Sequence, residues 1–187
     1  DEQGMVIIDQ HALHERVMFE KLLARIAPTS SGNDATKTQG RLESQHLLAP
    51  IVVAVSPSQI EALGALGTLF ARIGIEAAAL GPATIGVSAF PTFLFERGVT
   101  PGEFLADVLD KAESTGFAPG SEEALHEVLD MMACKAAIKA GNRLTETELR
   151  ELLDMRERYE RASSCPHGRP TSIRMTIAEL EKRFGRT

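Results

Sequence analysis

Two carboxylates and an imidazole fall within seven residues near the start of the chain: Asp9, His11 and Glu15. His11 and Glu15 are four apart, which puts them on one face of a helix, one turn from each other. Asp9 stands where a short apolar run stops and a helical pattern begins. Far along the chain come two thiols and a second imidazole: Cys134, Cys165 and His167. Cys165 and His167 are two apart in the stretch CPHGRP, where Pro166, Gly168 and Pro170 brace a tight loop, so both side chains can face one point. Together these are two carboxylates, two imidazoles and two thiols, all of them metal-ligand types. Six ligands exceed the usual four of a closed structural zinc site. Surplus carboxylates suit a site that must also hold activating ions or a water nucleophile.

Each residue taken alone has a plainer reading. Asp9 is a favoured helix N-cap. His11 and Glu15 are an ordinary i, i+4 pair, worth a few tenths of a kcal/mol. Cys134, on a mostly apolar helix face, is by default a small buried hydrophobe. Cys165 and His167 are harder to dismiss, because a Pro/Gly loop needs neither for packing. Glu20 lies five residues past Glu15, turned away from its face, which predicts a supporting role rather than ligation. His14 reads as exposed.

The elements that must position these residues follow from pattern and caps. Met5–Ile8 reads as a buried strand, and a helix from about Ala12 to Ile26 carries an apolar stripe of Leu13, Val17, Leu22, Leu23 and Ile26. Residues 28–44 are small, polar and rich in breakers, a loop and a boundary. A strand is expected over Leu47–Val55. The next helix starts with Ser56 at N-cap, Pro57 at N1 and Gln59 at N3 and ends before Gly74. Strands near 75–79 and 84–90 and a helix from Pro101 to about Glu113 complete a βαββα unit. Gly116–Gly120 is a second linker. Long helices are expected over Glu122–Ala140 and from Thr145, whose capping box includes Glu148, to about Arg161. A last helix is capped by Thr176 with Glu179. The fold class is mixed, α/β (α+β), with two subdomains. One is discontinuous, residues 1–44 and 117–187, and the other, 45–116, is inserted.

The chain has 187 residues, 43% hydrophobic and 25% charged, ordinary for a globular protein. No apolar run approaches the ~20 residues that span a bilayer. It begins at Asp1 without an initiator Met, which reads as an excised part of something longer. The net charge of −6 argues against coating nucleic acid by electrostatics alone. From Arg161 onward, however, six basic residues face two acidic ones, a local +4 that leaves −10 on residues 1–160. With no secretion signal, the two cysteines read as metal ligands rather than a disulfide.

The segment DQHALHERVMFE, residues 9–20, resembles the DQHA-x2-E-x4-E motif of the C-terminal endonuclease domain of MutL mismatch-repair proteins. Ala133–Lys135 resembles that family's ACR motif with Lys for Arg. Cys165–Pro170 resembles its CPHGRP motif, and Phe184–Arg186 its F-x-R motif. The four come in the family's order across almost the whole chain. Gln45, Leu47, Leu48 and Pro50, in QHLLAP, resemble its sliding-clamp motif, although that match is short.

The resemblance implies a metal-dependent endonuclease that nicks duplex DNA near a mismatch, acts as a homodimer and binds zinc or manganese. The discontinuous subdomain would be the dimerisation part and the βαββα insertion the regulatory one. Branches without endonuclease activity lack the DQHA-type motif, so its presence argues for the active branch. Thiols and imidazoles favour a regulatory zinc, while Asp9 and Glu15, the expected catalytic pair, suit a hard ion such as Mn²⁺. Arg169 and Arg186 are expected to hold DNA phosphate or to pair with acidic ligands. Implied partners are duplex DNA, bound weakly, the polymerase sliding clamp and, through the full-length protein, the mismatch-recognition protein MutS. ATP is implied only for an N-terminal half outside this chain, and the implied location is the bacterial cytoplasm, near the nucleoid. A competing reading is a non-catalytic, zinc-stiffened dimerisation and clamp-binding module.

Overall fold

A computed structural model describes residues 3–27, 40–115, 120–137, 144–159 and 163–186. The elements are β1 Gly4–Ile8, α1 Gln10–Ile26, β2 Ser44–Ala54, α2 Pro57–Ile73, β3 Glu76–Gly81, β4 Thr84–Pro91, α3 Thr92–Glu96, α4 Pro101–Thr115, α5 Glu122–Ala136, α6 Glu146–Arg158, β5 Ser172–Thr176 and α7 Ile177–Arg183. The fold is α+β with two small antiparallel sheets. Among the described residues, no helix is long and apolar enough to cross a membrane. Most of the expected loop over 28–44, most of the linker after Thr115, and the ends of the two long helices lie outside the described residues.

Contacts divide the chain into two units, Asp1–Glu20 with Ala137–Thr187, and Lys21–Ala136. These bounds differ from 44/45 and 116/117, since the back of α1 and all of α5 go with the inserted part. The reason is packing. α5 lies against α3, and Lys111–Glu127 (3.2 Å) and Lys135–Asp107 (2.5 Å) tie it to α4.

In the first unit β1 pairs antiparallel with β5, from Gly4 opposite Thr176 to Ile8 opposite Ser172. Gly4 has φ +134°, and a Cβ there would meet the Met175 carbonyl, so only glycine lets the strands approach at this end. Leu13 and Val17 of α1 bury against Leu152 of α6, with Ile8, Leu144, Met155 and Tyr159 packed around them. The first part of the helical stripe read from sequence, Leu13 and Val17, thus joins α1 to α6, while Leu22, Leu23 and Ile26 belong to the second unit.

The second unit is a three-stranded sheet in the order β2-β4-β3, with α2 packed on α4 and on β3. The expected β, α, β, β, α elements are present in that order, with the short α3 inserted before α4. Phe90 anchors the core, edge-on to Phe95 (5.0 Å) and Phe104 (5.8 Å). Ser56 with Gln59 forms a complete capping box on α2, and Gly74 closes that helix in a left-handed conformation. Thr145 with Glu148 and Thr176 with Glu179 do the same at the starts of α6 and α7.

Candidate metal centre

The first unit brings a helix and a loop together around the opening motif. Asp9 ends β1. Its main-chain N–H donates to Thr171 O at 2.9 Å, and its carbonyl accepts from Leu13 N–H at 3.0 Å. Its Oδ1 accepts from the N–H groups of His11 (2.9 Å) and Ala12 (3.1 Å). Asp9 is therefore the N-cap of α1, with one carboxylate oxygen taken up by donors that a helix start leaves without partners.

Residues 163–171 form a closed hairpin that carries the second part of the centre. Thr171 N–H donates to Ser163 O (3.0 Å) and Cys165 N–H to Arg169 O (2.8 Å), and Ser164 bridges Pro170. At its tip, Gly168 N–H donates to Cys165 O at 2.9 Å. Pro166 and Gly168 hold the second and fourth positions of this turn, which suits their backbone preferences. Gly168, at φ +80°, takes the left-handed conformation that other residues resist.

These two pieces converge on one point. Glu15 (5% exposed) and Cys165 (1% exposed) are buried, while His167 is exposed. Their ligand atoms all lie within 4.8 Å of one another, the one such group of three among the described residues. His167 Nδ1 is 3.7 Å from Glu15 Oε1, too far for a hydrogen bond. A buried carboxylate is costly unless its charge is met. A divalent cation shared with the imidazole and the thiol would meet it, and the S, N, O donor set is the kind zinc takes.

Other expected site residues are arranged differently. Asp9 and His11 lie outside this close group. Asp9 is turned back to its helix, and His11 is half-buried one turn before Glu15. Cys134 belongs to the second unit and is exposed on α5. It lies on the side of α5 opposite the buried stripe formed by Val128, Leu129 and Met132. Arg169 and Arg186 are exposed. Lys135, where the resembling motif has Arg, pairs with Asp107 instead of standing free. Gln45 and Leu48 are exposed and Leu47 half-buried. The β2–β4 register shifts between His46 and Ile51, a bulge in the edge strand at this segment.

One important residue gave no signal of its own in the sequence. Arg16 is 8% exposed. Its Nε donates to Ser164 O at 2.7 Å, its Nη2 to Cys165 O at 3.1 Å and its Nη1 to Glu20 Oε1 at 3.2 Å. The guanidinium also lies 5.7 Å from the centre of the Phe19 ring, within cation–π range. Glu20 thus has the supporting place its spacing implied. An i, i+4 Arg–Glu pair reads as a surface feature, and only the fold reveals the two carbonyls at its other end.

The family described as "MutL C terminal dimerisation domain" matches residues 1–144. The chain belongs to this family. Similar proteins include "DNA mismatch repair protein MutL" from Chromohalobacter salexigens, 35% identical over 98% of this chain and 27% of that protein. The protein of the same name from Phenylobacterium zucineum is 34% identical over 98% and 27%, and that from Ralstonia nicotianae 35% over 97% and 27%. The chain therefore spans about a quarter of the length of these MutL relatives. Their similarity runs through the CPHGRP loop, beyond the residues that the dimerisation family matches.

Proposed function

We propose that this chain is the metal-dependent, DNA-nicking and dimerising part of a mismatch-repair protein. The observation that carries the reading is the convergence of Glu15, Cys165 and His167 from the DQHA-type helix and the CPHGRP hairpin. Cys165 and His167 would hold a zinc ion with Glu15, and His11 is the next donor along the same helix face. Asp9, at the strand–helix corner of the same unit, and Glu15 would supply the carboxylates for Mn²⁺. A bound metal supplies a water of lowered pKa and neutralises charge developing on the phosphate. The chain's own part is to hold these carboxylates on rigid elements. The exposed Arg169 and Arg186 contact the DNA backbone, which the acidic remainder of the chain binds weakly.

Two surfaces serve partners in this reading. Met5 and Ile7 face Met175 and Ile173 across the β1–β5 ladder, and Met5, Ile7 and Ile173 are 44–56% exposed. A two-stranded sheet with such a face is marginal alone and is suited to a second copy. Leu48, fully exposed on the interrupted edge strand with Gln45 nearby, is the sliding-clamp anchor. MutS and ATP act through parts of a full-length protein in the bacterial cytoplasm.

The test is supercoiled plasmid with Mn²⁺, with and without chelator, for wild type and Glu15→Gln. Nicking that needs Mn²⁺ and is lost in the variant supports the reading. Metal-independent nicking, or an equally active Glu15→Gln, overturns it. One observation favours the non-catalytic alternative: Oδ1 of Asp9 is already used as a helix cap. Dimer formation and clamp binding with no nicking by the full-length protein would select that alternative.

A further inference from the structure

We infer that Arg16 is the positioning residue of the metal centre, holding the hairpin that carries Cys165 and His167 against the helix that carries Glu15. The inference rests on the metal reading above but concerns a residue outside the ligand set. Arg16 directly follows Glu15 in sequence. Its Nε and Nη2 grip consecutive carbonyls, Ser164 O and Cys165 O. The Cys165 carbonyl also closes the turn by accepting from Gly168 N–H, so Arg16 holds the corner on which His167 is displayed. The third face of the guanidinium is fixed by Glu20, one turn further along α1.

Two features make this a clamp and not a surface ion pair. Arg16 is buried, and its two grips cross nearly 150 residues of sequence to reach the hairpin. A planar fork can span two adjacent carbonyls and a carboxylate at once. A lysine ammonium, as a point charge on a flexible stem, cannot. Groups that orient ligands in this way typically control metal affinity by about 10–100-fold.

The test uses the whole chain and Co²⁺ as the probe, since a cobalt–thiolate band reports ligation by Cys165 directly. Arg16→Lys keeps the charge. It should bind Co²⁺ about 10–100-fold more weakly than wild type while keeping the same helical circular dichroism. A second readout needs no metal: alkylation by N-ethylmaleimide followed by peptide mapping. Cys165, buried in the wild type, should react several-fold faster in metal-free Arg16→Lys, with exposed Cys134 as the internal reference. Should Arg16→Lys fail to fold, Glu20→Gln decides, with a smaller effect of the same sign expected in both readouts. Wild-type Co²⁺ affinity and wild-type Cys165 reactivity in the folded variant overturn the inference. If wild type binds no Co²⁺ but Cys165 is still exposed by Arg16→Lys, the metal reading falls and the clamp stands.

Discussion

Asp9 is asked to do two things, and the geometry allows them to be separated. Its Oδ1 caps α1 through two backbone donors, while the proposed chemistry uses its negative charge. Asparagine caps as well as aspartate, because its amide oxygen can take the same two donors. Asp9→Asn should therefore keep stability to within about 0.5 kcal/mol while removing the charge. Asp9→Ala loses both, at about 0.5–2 kcal/mol. For a chain of this size that is a fall of roughly 2–4 °C in Tm per kcal/mol. If the carboxylate helps to hold the catalytic metal, its loss should remove several kcal/mol of transition-state stabilisation, a drop in nicking of more than ~100-fold. The assay pairs thermal unfolding with Mn²⁺-dependent nicking of supercoiled plasmid. The expected pattern is Asn stable and inactive, Ala less stable and inactive. Wild-type nicking by Asp9→Asn refutes the chemical role, and an unchanged Tm in Asp9→Ala refutes the cap.

Other consequences can be checked as directly. Gly168→Ala forces a side chain into φ +80° and should cost about 1–2 kcal/mol in thermal unfolding. Ile7→Glu on the exposed face of β1 should leave the monomer folded but raise the dimer dissociation constant at least tenfold by analytical ultracentrifugation. Leu48→Ala, at a fully exposed position, should not change Tm yet should weaken binding to the sliding clamp measured by surface plasmon resonance. The Thr176 backbone N–H and hydroxyl hold the Glu179 carboxyl below its usual range. A depressed carboxylate stabilises the fold above its unfolded value, near 4.3, and that gain is lost as pH falls through the lower folded value. The stability gap between wild type and Glu179→Gln should accordingly be constant at neutral pH and shrink below about pH 4, as acid titrations followed by circular dichroism would show.

Helix starts were the most legible part of the fold, because a capping box is a local code. Ser56 with Gln59, Thr145 with Glu148, and Thr176 with Glu179 each specify two hydrogen bonds within four residues, and all three form. The five-residue α3 was not legible, since it is too short to show a period and follows directly on β4. Cys134 has apolar neighbours in sequence, Met132 and Ala133, yet the helical period turns it to the opposite, exposed side of α5. Cys165 and His167 were legible as a pair because Pro and Gly fix the turn between them. Their meeting with Glu15 is suggested by residue chemistry and by the motif resemblance, and Arg16 by nothing. Its main acceptors are backbone carbonyls, which every residue has, so no side-chain pattern marks them.

The β1–β5 pairing also sets an order of events during synthesis. Gly4–Ile8 leaves the ribosome well before its partner, Ser172–Thr176, which follows more than 160 residues later. At about 5–20 residues per second, the first strand waits on the order of ten to thirty seconds for its partner. Over that interval the second unit, whose strands are all internal to residues 44–91, can complete its own sheet. The apolar residues of β1 meanwhile remain without their partner, a hazard for wrong pairing with another nascent chain. Glu15 and Cys165 cannot meet before the hairpin at 163–171 has been made, so this centre can take up a metal ion only after the second unit has been synthesised.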